Sequence, residues 1–286
     1  MKITKVGVIG CGLMGSGIAQ VCAQTGYQVV VSEINDELLN KGLASISKFL
    51  ARSVDKGKLA AEEKDSILQR IKGTTKIEEL SDCDLVIEAV VENMELKKTL
   101  FSELDKLCPP NTIFATNTSC LSIIDMAAVT NRPDKVLGLH FFNPAPIMKL
   151  LEVVRTISTS DEVVETVKSF GQSLGKTVVL AHDTPGFIVN RLSVPFSLNA
   201  IRMLETGIAS KEDIDKAVNM GLNHPMGPLE LADFAGLDTL YNIAIAVYEE
   251  LKDPQFAPPI LLKKMVKAGW LGRKSGKGFY DYSKSD

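Results

Sequence analysis

Val6-Gly7-Val8-Ile9-Gly10-Cys11-Gly12-Leu13-Met14-Gly15 runs an apolar strand, residues 3–9, straight into three glycines and the start of a helical pattern. Leu13, Ile18, Val21 and Cys22 continue that pattern to Gly26. A strand, a tight turn and a helix in this order aim the free N–H groups of the helix N-terminus at an anion. Gly10 permits the turn, Gly12 lets the backbone approach a pyrophosphate, and Gly15 lets the helix pack close to the strand. The glycine spacing alone is a weak signal, and the residues beyond the helix strengthen it. A second β-type run, residues 28–32, ends at Glu33, 18 residues beyond Gly15. An acid there hydrogen-bonds the hydroxyls of an adenine ribose. Glu33-Ile34-Asn35-Asp36-Glu37 offers no Arg or Lys to a 2′-phosphate. The segment therefore predicts a dinucleotide site, for NAD in preference to NADP, built from Gly10, Gly12, Leu13, Met14, Gly15 and Glu33.

At 286 residues the chain is long enough for two domains and a large core. Its 45% hydrophobic and 23% charged residues are ordinary for a globular protein. A net charge of −3 gives no reason to expect nucleic acid or an anionic membrane as partner. No apolar run approaches the roughly 18 residues of a spanning helix. The first strand begins within three residues of Met1, which leaves no room for a targeting peptide and points to the cytoplasm. The five cysteines (11, 22, 83, 108 and 120) are odd in number and contain no CxxC pair. They read as reduced core or turn residues, with neither a disulfide framework nor a metal site.

Strands and helices alternate through the first half. Helical patterns cover residues 36–56, 62–71, 95–107, 121–127 and 161–174. Strand-like runs cover residues 84–89, 112–115, 136–140, 150–154 and 177–180. This alternation predicts a doubly wound α/β sheet of Rossmann type, parallel at least in its first part. Near Pro185-Gly186 the texture changes. Residues 187–204, 211–220, 229–250 and 259–268 read as helices with no β-type run between them. The expected boundary lies at about residue 183, with a dinucleotide-binding domain over 1–183 and an all-helical domain over 184–286. Long apolar helical faces suit pairing with a second subunit; burial within one subunit is the alternative.

Hydride transfer to a nicotinamide needs a group that exchanges a proton at the same carbon, and histidine titrates near working pH. Of the three histidines, His182 lies at the domain boundary and His224 in the turn-rich His224-Pro225-Met226-Gly227-Pro228. His140 ends a predicted strand, and ligands of open α/β sheets gather at the carboxyl ends of strands. It is the best placed, with a hydrogen-bonded structural role as the alternative. Glu152 lies within the apolar run Leu150-Leu151-Glu152-Val153-Val154, where a carboxylate is costly to bury without a partner. An imidazole would be a suitable one, its tautomer and orientation held by the acid. An edge strand would instead leave Glu152 in solvent.

Six stretches in order carry a resemblance that spans essentially the whole chain. They are Gly10-Cys11-Gly12-Leu13-Met14-Gly15-Ser16-Gly17-Ile18-Ala19-Gln20, Asn117-Thr118-Ser119 and His140-Phe141-Phe142-Asn143-Pro144, then Pro185-Gly186-Phe187-Ile188-Val189-Asn190-Arg191, His224-Pro225-Met226-Gly227-Pro228 and Gly276-Lys277-Gly278-Phe279-Tyr280. The chain resembles the 3-hydroxyacyl-CoA dehydrogenase family, and within it the short, single-function members. The resemblance implies reversible NAD-dependent oxidation of an (S)-3-hydroxyacyl-CoA, with 3-hydroxybutyryl-CoA and acetoacetyl-CoA as the expected pair, in a homodimer or higher homo-oligomer. It implies His140 as general base, Glu152 as its orienting partner, and Ser119 and Asn190 beside the substrate oxygen. The residues alone would favour Ser119 as a helix N-cap and Asn190 as a surface residue. The implied cofactor contacts also include Glu92, Lys97, Ser119, Asn143 and Lys274; by themselves Glu92 and Lys97 read as a helix N-terminal acid and a solvated charge. Arg52-Ser53-Val54-Asp55-Lys56-Gly57-Lys58 matches the segment that holds the CoA phosphates, with Lys56 the best match and Arg52 standing where relatives often carry lysine. Simple complementation of a helix C-terminus is the alternative there.

Two other functions stay open at this level. One is a dehydrogenase of a free hydroxy acid, which the basic segment around Lys56 disfavours. The other is a non-enzymatic NAD(H)-binding structural protein, which has no need of His140, Glu152, Ser119 and Asn190 together.

Overall fold

The computed structural model describes residues 2–283 and divides between Asp183 and Thr184 into two compact units. In the first, the chain runs through β1 (Lys5–Ile9), α1 (Leu13–Gln24), β2 (Gln28–Ser32), α2 (Asp36–Asp55), α3 (Ala61–Gln69) and β3 (Ile71–Thr74). It continues through β4 (Leu85–Glu88), α4 (Met94–Leu107), β5 (Ile113–Thr116), α5 (Ile123–Ala127), β6 (Val136–Phe141), β7 (Leu150–Arg155), α6 (Asp161–Ser173) and β8 (Thr177–His182). The strands form one sheet in the order β3-β2-β1-β4-β5-β6-β7-β8. All neighbours are parallel except β6 and β7.

The sequence explains this arrangement locally. β4, β5 and β6 are buried along their whole length, which is why they read as continuous apolar runs. Helix starts are set by side-chain caps: Asn35 Oδ1 accepts the Leu38 N–H at 2.9 Å for α2, and Asn93 Oδ1 accepts the Leu96 N–H at 2.9 Å for α4. Strand order reverses between β1 and β4, and a doubly wound sheet opens its ligand crevice at that point.

Two elements depart from expectation in this unit. Residue 71, expected to close a helix, opens β3 at the sheet edge. Lys72-Gly73 hides the strand from pattern reading, yet a Cβ at Gly73 would lie 2.9 Å from the Leu43 side chain. β6 and β7 pair antiparallel because residues 142–149 are too few for a crossover helix.

The second unit holds α7 (Val189–Glu205), α8 (Lys211–Gly221), α9 (Pro228–Ala235), α10 (Leu237–Leu251) and α11 (Ile260–Lys267). The single helix expected over 229–250 is two. Gly236 sits at φ +100, a left-handed conformation that favours glycine, and separates α9 from α10. Two isolated bridges, Gly272–Lys277 and Lys277–Asp281, give this otherwise helical unit a short extended tail. Among the described residues no helix is long and apolar enough to cross a membrane.

Candidate active site

The glycine turn between β1 and α1 has the geometry of an anion cradle. Gly10 has φ +91, and a Cβ there would lie 2.7 Å from the Ala89 carbonyl oxygen. A Cβ on Gly15 would fall 1.8 Å from the Gly10 oxygen, so α1 packs against the turn only with glycine at this position. A Cβ on Gly12, in contrast, would meet nothing within 4 Å. No side chain caps α1, so its first-turn N–H groups remain available to a pyrophosphate. Leu13 is exposed at this rim, and Met14 packs half-buried against the core.

Beside the turn lies a cavity of about 810 Å³ whose walls include Gly10, Gly12, Glu33, Ile34, Leu38 and Val90. Glu33 is held at its edge by two backbone donors, Cys11 N–H to Oε2 at 2.8 Å and Ile34 N–H to Oε1 at 2.7 Å. These features fit the adenosine and pyrophosphate of a dinucleotide. The Cys11 thiol in the turn is pushed up to about 11, by burial first and then by Glu33, so it carries no charge against the phosphates.

At the carboxyl end of β6 stands His140, directly opposite Glu152 of β7 in the antiparallel register. Facing cross-strand residues share one side of the sheet. His140 Nδ1 lies 2.6 Å from Glu152 Oε2, with His140 4% exposed and Glu152 wholly buried. β8 covers the far side of β7, so Glu152 is not on an edge strand. A carboxylate accepts hydrogen bonds, so Nδ1 carries the imidazole proton and Nε2 faces Ser119 Oγ at 3.2 Å.

Ser119 follows β5 and is not the N-cap of α5. That position is Ser122, and the leading N–H groups of Ile123 and Ile124 donate to the Asp183 carboxylate at 3.1 and 2.7 Å. The Ser119 N–H donates to Glu92 Oε1 at 2.7 Å, and Thr118 Oγ1 donates to the same oxygen at 2.9 Å. Asn117 Oδ1 accepts the Phe141 N–H at 2.9 Å and ties this loop to the end of β6.

Lys97 is not a solvated charge. It is 1% exposed, and its Nζ lies 2.6 Å from Glu88 Oε1 and 3.2 Å from Glu92 Oε2. Glu88, which ends β4, is the residue that sequence reading passed over. Its signal was the one that singled out Glu152, an acid in an apolar run. Cys120 adjoins Ser119, but burial, reinforced by Glu92, pushes its thiol up to about 12 and leaves it no thiolate character.

The remaining candidates are spread over both units. Asn143 is exposed after β6 and precedes Pro144 through a cis peptide bond. Arg52 and Lys56 are exposed at the C-terminal end of α2. In the second unit, Asn190 is in the first turn of α7, and Lys274 Nζ donates to Asp238 Oδ2 at 2.7 Å.

Comparison with known proteins covers both units. Residues 5–184 match the model of the 3-hydroxyacyl-CoA dehydrogenase NAD binding domain, and residues 186–282 match that of the C-terminal domain of the same proteins. A 3-hydroxybutyryl-CoA dehydrogenase of Mycobacterium tuberculosis is 50% identical over 282 residues, covering 98% of this chain and 99% of that protein. The mitochondrial hydroxyacyl-coenzyme A dehydrogenase of Sus scrofa is 46% identical over 98% of this chain and 91% of its own length. The crystal structure of an (S)-3-hydroxybutyryl-CoA dehydrogenase from Ralstonia eutropha superimposes with a TM-score of 0.94 at 44% identity, covering 99% of this chain and 100% of that one.

Proposed function

The chain belongs to the 3-hydroxyacyl-CoA dehydrogenase family, and from that premise we propose that it interconverts (S)-3-hydroxybutyryl-CoA and acetoacetyl-CoA. It is an NAD-dependent oxidoreductase. NAD, when bound, accepts or returns the hydride at C3. The chain's own residues move the proton: His140 Nε2 takes it from the C3 hydroxyl during oxidation and returns it during reduction. Such a base is typically worth about 10²–10⁴ in rate. Glu152 holds the imidazole in the tautomer that leaves Nε2 to accept, and steadies the imidazolium that forms. Ser119 and Asn190 donate to the substrate oxygen as its charge develops.

Gly10, Gly12, Leu13, Met14, Gly15 and Glu33 receive the adenosine and pyrophosphate, and Glu92, Lys97, Ser119, Asn143 and Lys274 complete the cofactor contacts. Arg52 and Lys56 grip CoA phosphates. Residues 1–183 serve as the NAD-binding domain and residues 184–286 as the substrate and dimerisation domain. The protein works in the cytoplasm as a homodimer or higher homo-oligomer. Its five cysteines, all unpaired, suit a reducing compartment.

The observation that carries this reading is the 2.6 Å contact between the imidazole and a wholly buried carboxylate, with a serine hydroxyl on the second ring nitrogen. The test is NADH consumption with acetoacetyl-CoA, run beside a His140→Ala variant and an NADPH control. Rapid NADH oxidation that is lost in the variant and weak with NADPH is expected. Tight NADH binding with no turnover of acetoacetyl-CoA would return the chain to a free hydroxy acid or a structural role.

A further inference from the structure

Glu88 ends a central strand with a carboxylate that no solvent reaches, and every bond it makes leads toward Ser119 or holds the loop after β4. Oε1 accepts the Val90 N–H at 2.7 Å and Lys97 Nζ at 2.6 Å, while Oε2 accepts Thr116 Oγ1 at 2.7 Å. Two limbs leave this carboxylate. The short one passes through Thr116, whose Oγ1 accepts the Thr118 N–H at 3.1 Å. The long one passes through Lys97 to Glu92 Oε2 at 3.2 Å, and the other oxygen of Glu92 takes the Thr118 hydroxyl and the Ser119 N–H. The short limb ends on Thr118 and the long one on Thr118 and Ser119, and the Ser119 hydroxyl is the group that touches His140 Nε2.

A buried ion pair of this kind adds little net stability compared with apolar packing. What it adds here is geometry. Without Glu88, Thr116 would lose the acceptor that orients its hydroxyl, and Lys97 would bear on Glu92 alone. We infer that Glu88 is a positioning residue for the dehydrogenase reaction, holding Ser119 in register with His140 through Thr116 on one side and Lys97–Glu92 on the other. The inference rests on the function proposed above. It assigns the β4 acid a part in turnover although it reaches neither His140 nor the open cavity itself.

The test is a double-mutant cycle between Glu88→Gln and Ser119→Ala, read in the NADH and acetoacetyl-CoA assay with the intact protein. Glu88→Gln is expected to lower kcat about 10- to 100-fold, the range that a misplacement of about an ångström produces. In the Ser119→Ala background the same change should cost less than about 2-fold, because residues acting through one contact are not additive. Equal losses in both backgrounds, or an unchanged kcat, overturn the inference. A second readout needs neither cofactor nor turnover. With three histidines in the chain, ¹⁵N spectra resolve the His140 ring, and Glu88→Gln should shift its Nε2 signal as Ser119→Ala does. A folded Glu88→Gln protein with the wild-type Nε2 signal overturns it as well. Thr116→Val, which keeps the volume and the charge, cuts the short limb alone. It decides the matter if Glu88→Gln does not fold: reduced kcat with a shifted Nε2 signal supports the limb, and wild-type values of both overturn it. Failure of wild-type protein to turn over acetoacetyl-CoA would sink the proposed reaction, while the spectra would still report whether Glu88 holds Ser119 against His140.

Discussion

Both units bury carboxylates, and they differ in whether a basic side chain, ammonium or imidazole, reaches them. At the carboxyl edge of the sheet, Glu152 faces an imidazole and Glu88 an ammonium, each at 2.6 Å. In the helical unit, Asp233 accepts the Phe279 and Tyr280 N–H groups, both at 2.9 Å, and the Tyr282 hydroxyl. Asp215 accepts the Leu229 and Glu230 N–H groups at 2.8 and 3.0 Å and the Tyr280 hydroxyl at 2.8 Å. Backbone donors cannot gain or lose a proton in the working pH range, so Asp215 and Asp233 act as clasps that pin α9 and the 278–282 tail. A Cβ on Gly278 would lie 2.0 Å from Asp233 Oδ1, so only glycine lets the tail approach. An imidazole partner makes Glu152 part of the proton-transfer pair, and an ammonium partner makes Glu88 an anchor for the loop that carries Ser119. The partner, and not the burial, separates the two roles.

The largest effect should come from Glu152→Gln, which keeps the shape and removes the charge. We expect kcat to fall by about 10³–10⁴, as loss of the orienting acid does in a triad. NADH affinity should change less than about 2-fold, because Glu152 faces His140 and lies outside the glycine turn. A variant that loses NADH affinity while keeping turnover would erase the contrast between the two regions. Asp233→Ala should do the reverse, lowering stability by about 2–3 kcal/mol through the donors it leaves unpaired. That loss is read as a lower unfolding midpoint without a matching fall in kcat of the folded fraction.

Alkaline pH sharpens the comparison further. Burial, and then Asp233, pushes the Tyr282 hydroxyl up to about 12, and burial and Asp215 raise Tyr280 as well. Between the ordinary tyrosine value near 10 and the raised one, the folded unit keeps protons that the unfolded chain has released. Stability contributed by these groups is therefore present below about pH 10 and is lost as pH rises toward 12. Urea midpoints of the helical unit should decline over that window, and Tyr282→Phe should flatten the decline. The smallest effect concerns Cys120. It borders Ser119 but holds its proton to about 12, so Cys120→Ser should leave kcat within about 2-fold and iodoacetamide should modify the native protein slowly at pH 8.

The residues nearest in sequence were the most legible. The glycine turn, Glu33 at the end of β2 and the alternation of strands and helices are local features, set by backbone sterics and apolar periodicity over a few residues. Where local pattern was weak, reading failed. Residues 71–74 carry a lysine and a glycine and enter the sheet because β2 supplies their hydrogen-bond partners. The apolar pattern of 229–250 ran across Gly236, whose positive φ no periodicity reports. Lys97 read as a surface charge because Glu88 and Glu92, which neutralise it, converge on it only through the β4–α4 fold.

From the sequence alone came the Rossmann-type start, the expected family and the suspicion that His140 and Glu152 belong together. Tertiary structure decided that they meet. Residues 140 and 152 face each other because β7 turns back antiparallel in one register, and a slip of a single residue would put the acid on the other face of the sheet. Likewise β8, which follows β7 through α6 and pairs with it in parallel, turned β7 from an edge into an interior strand and shut Glu152 away from water. Strand pairing of this range depends on which surfaces the whole domain buries together, and no window of sequence contains it.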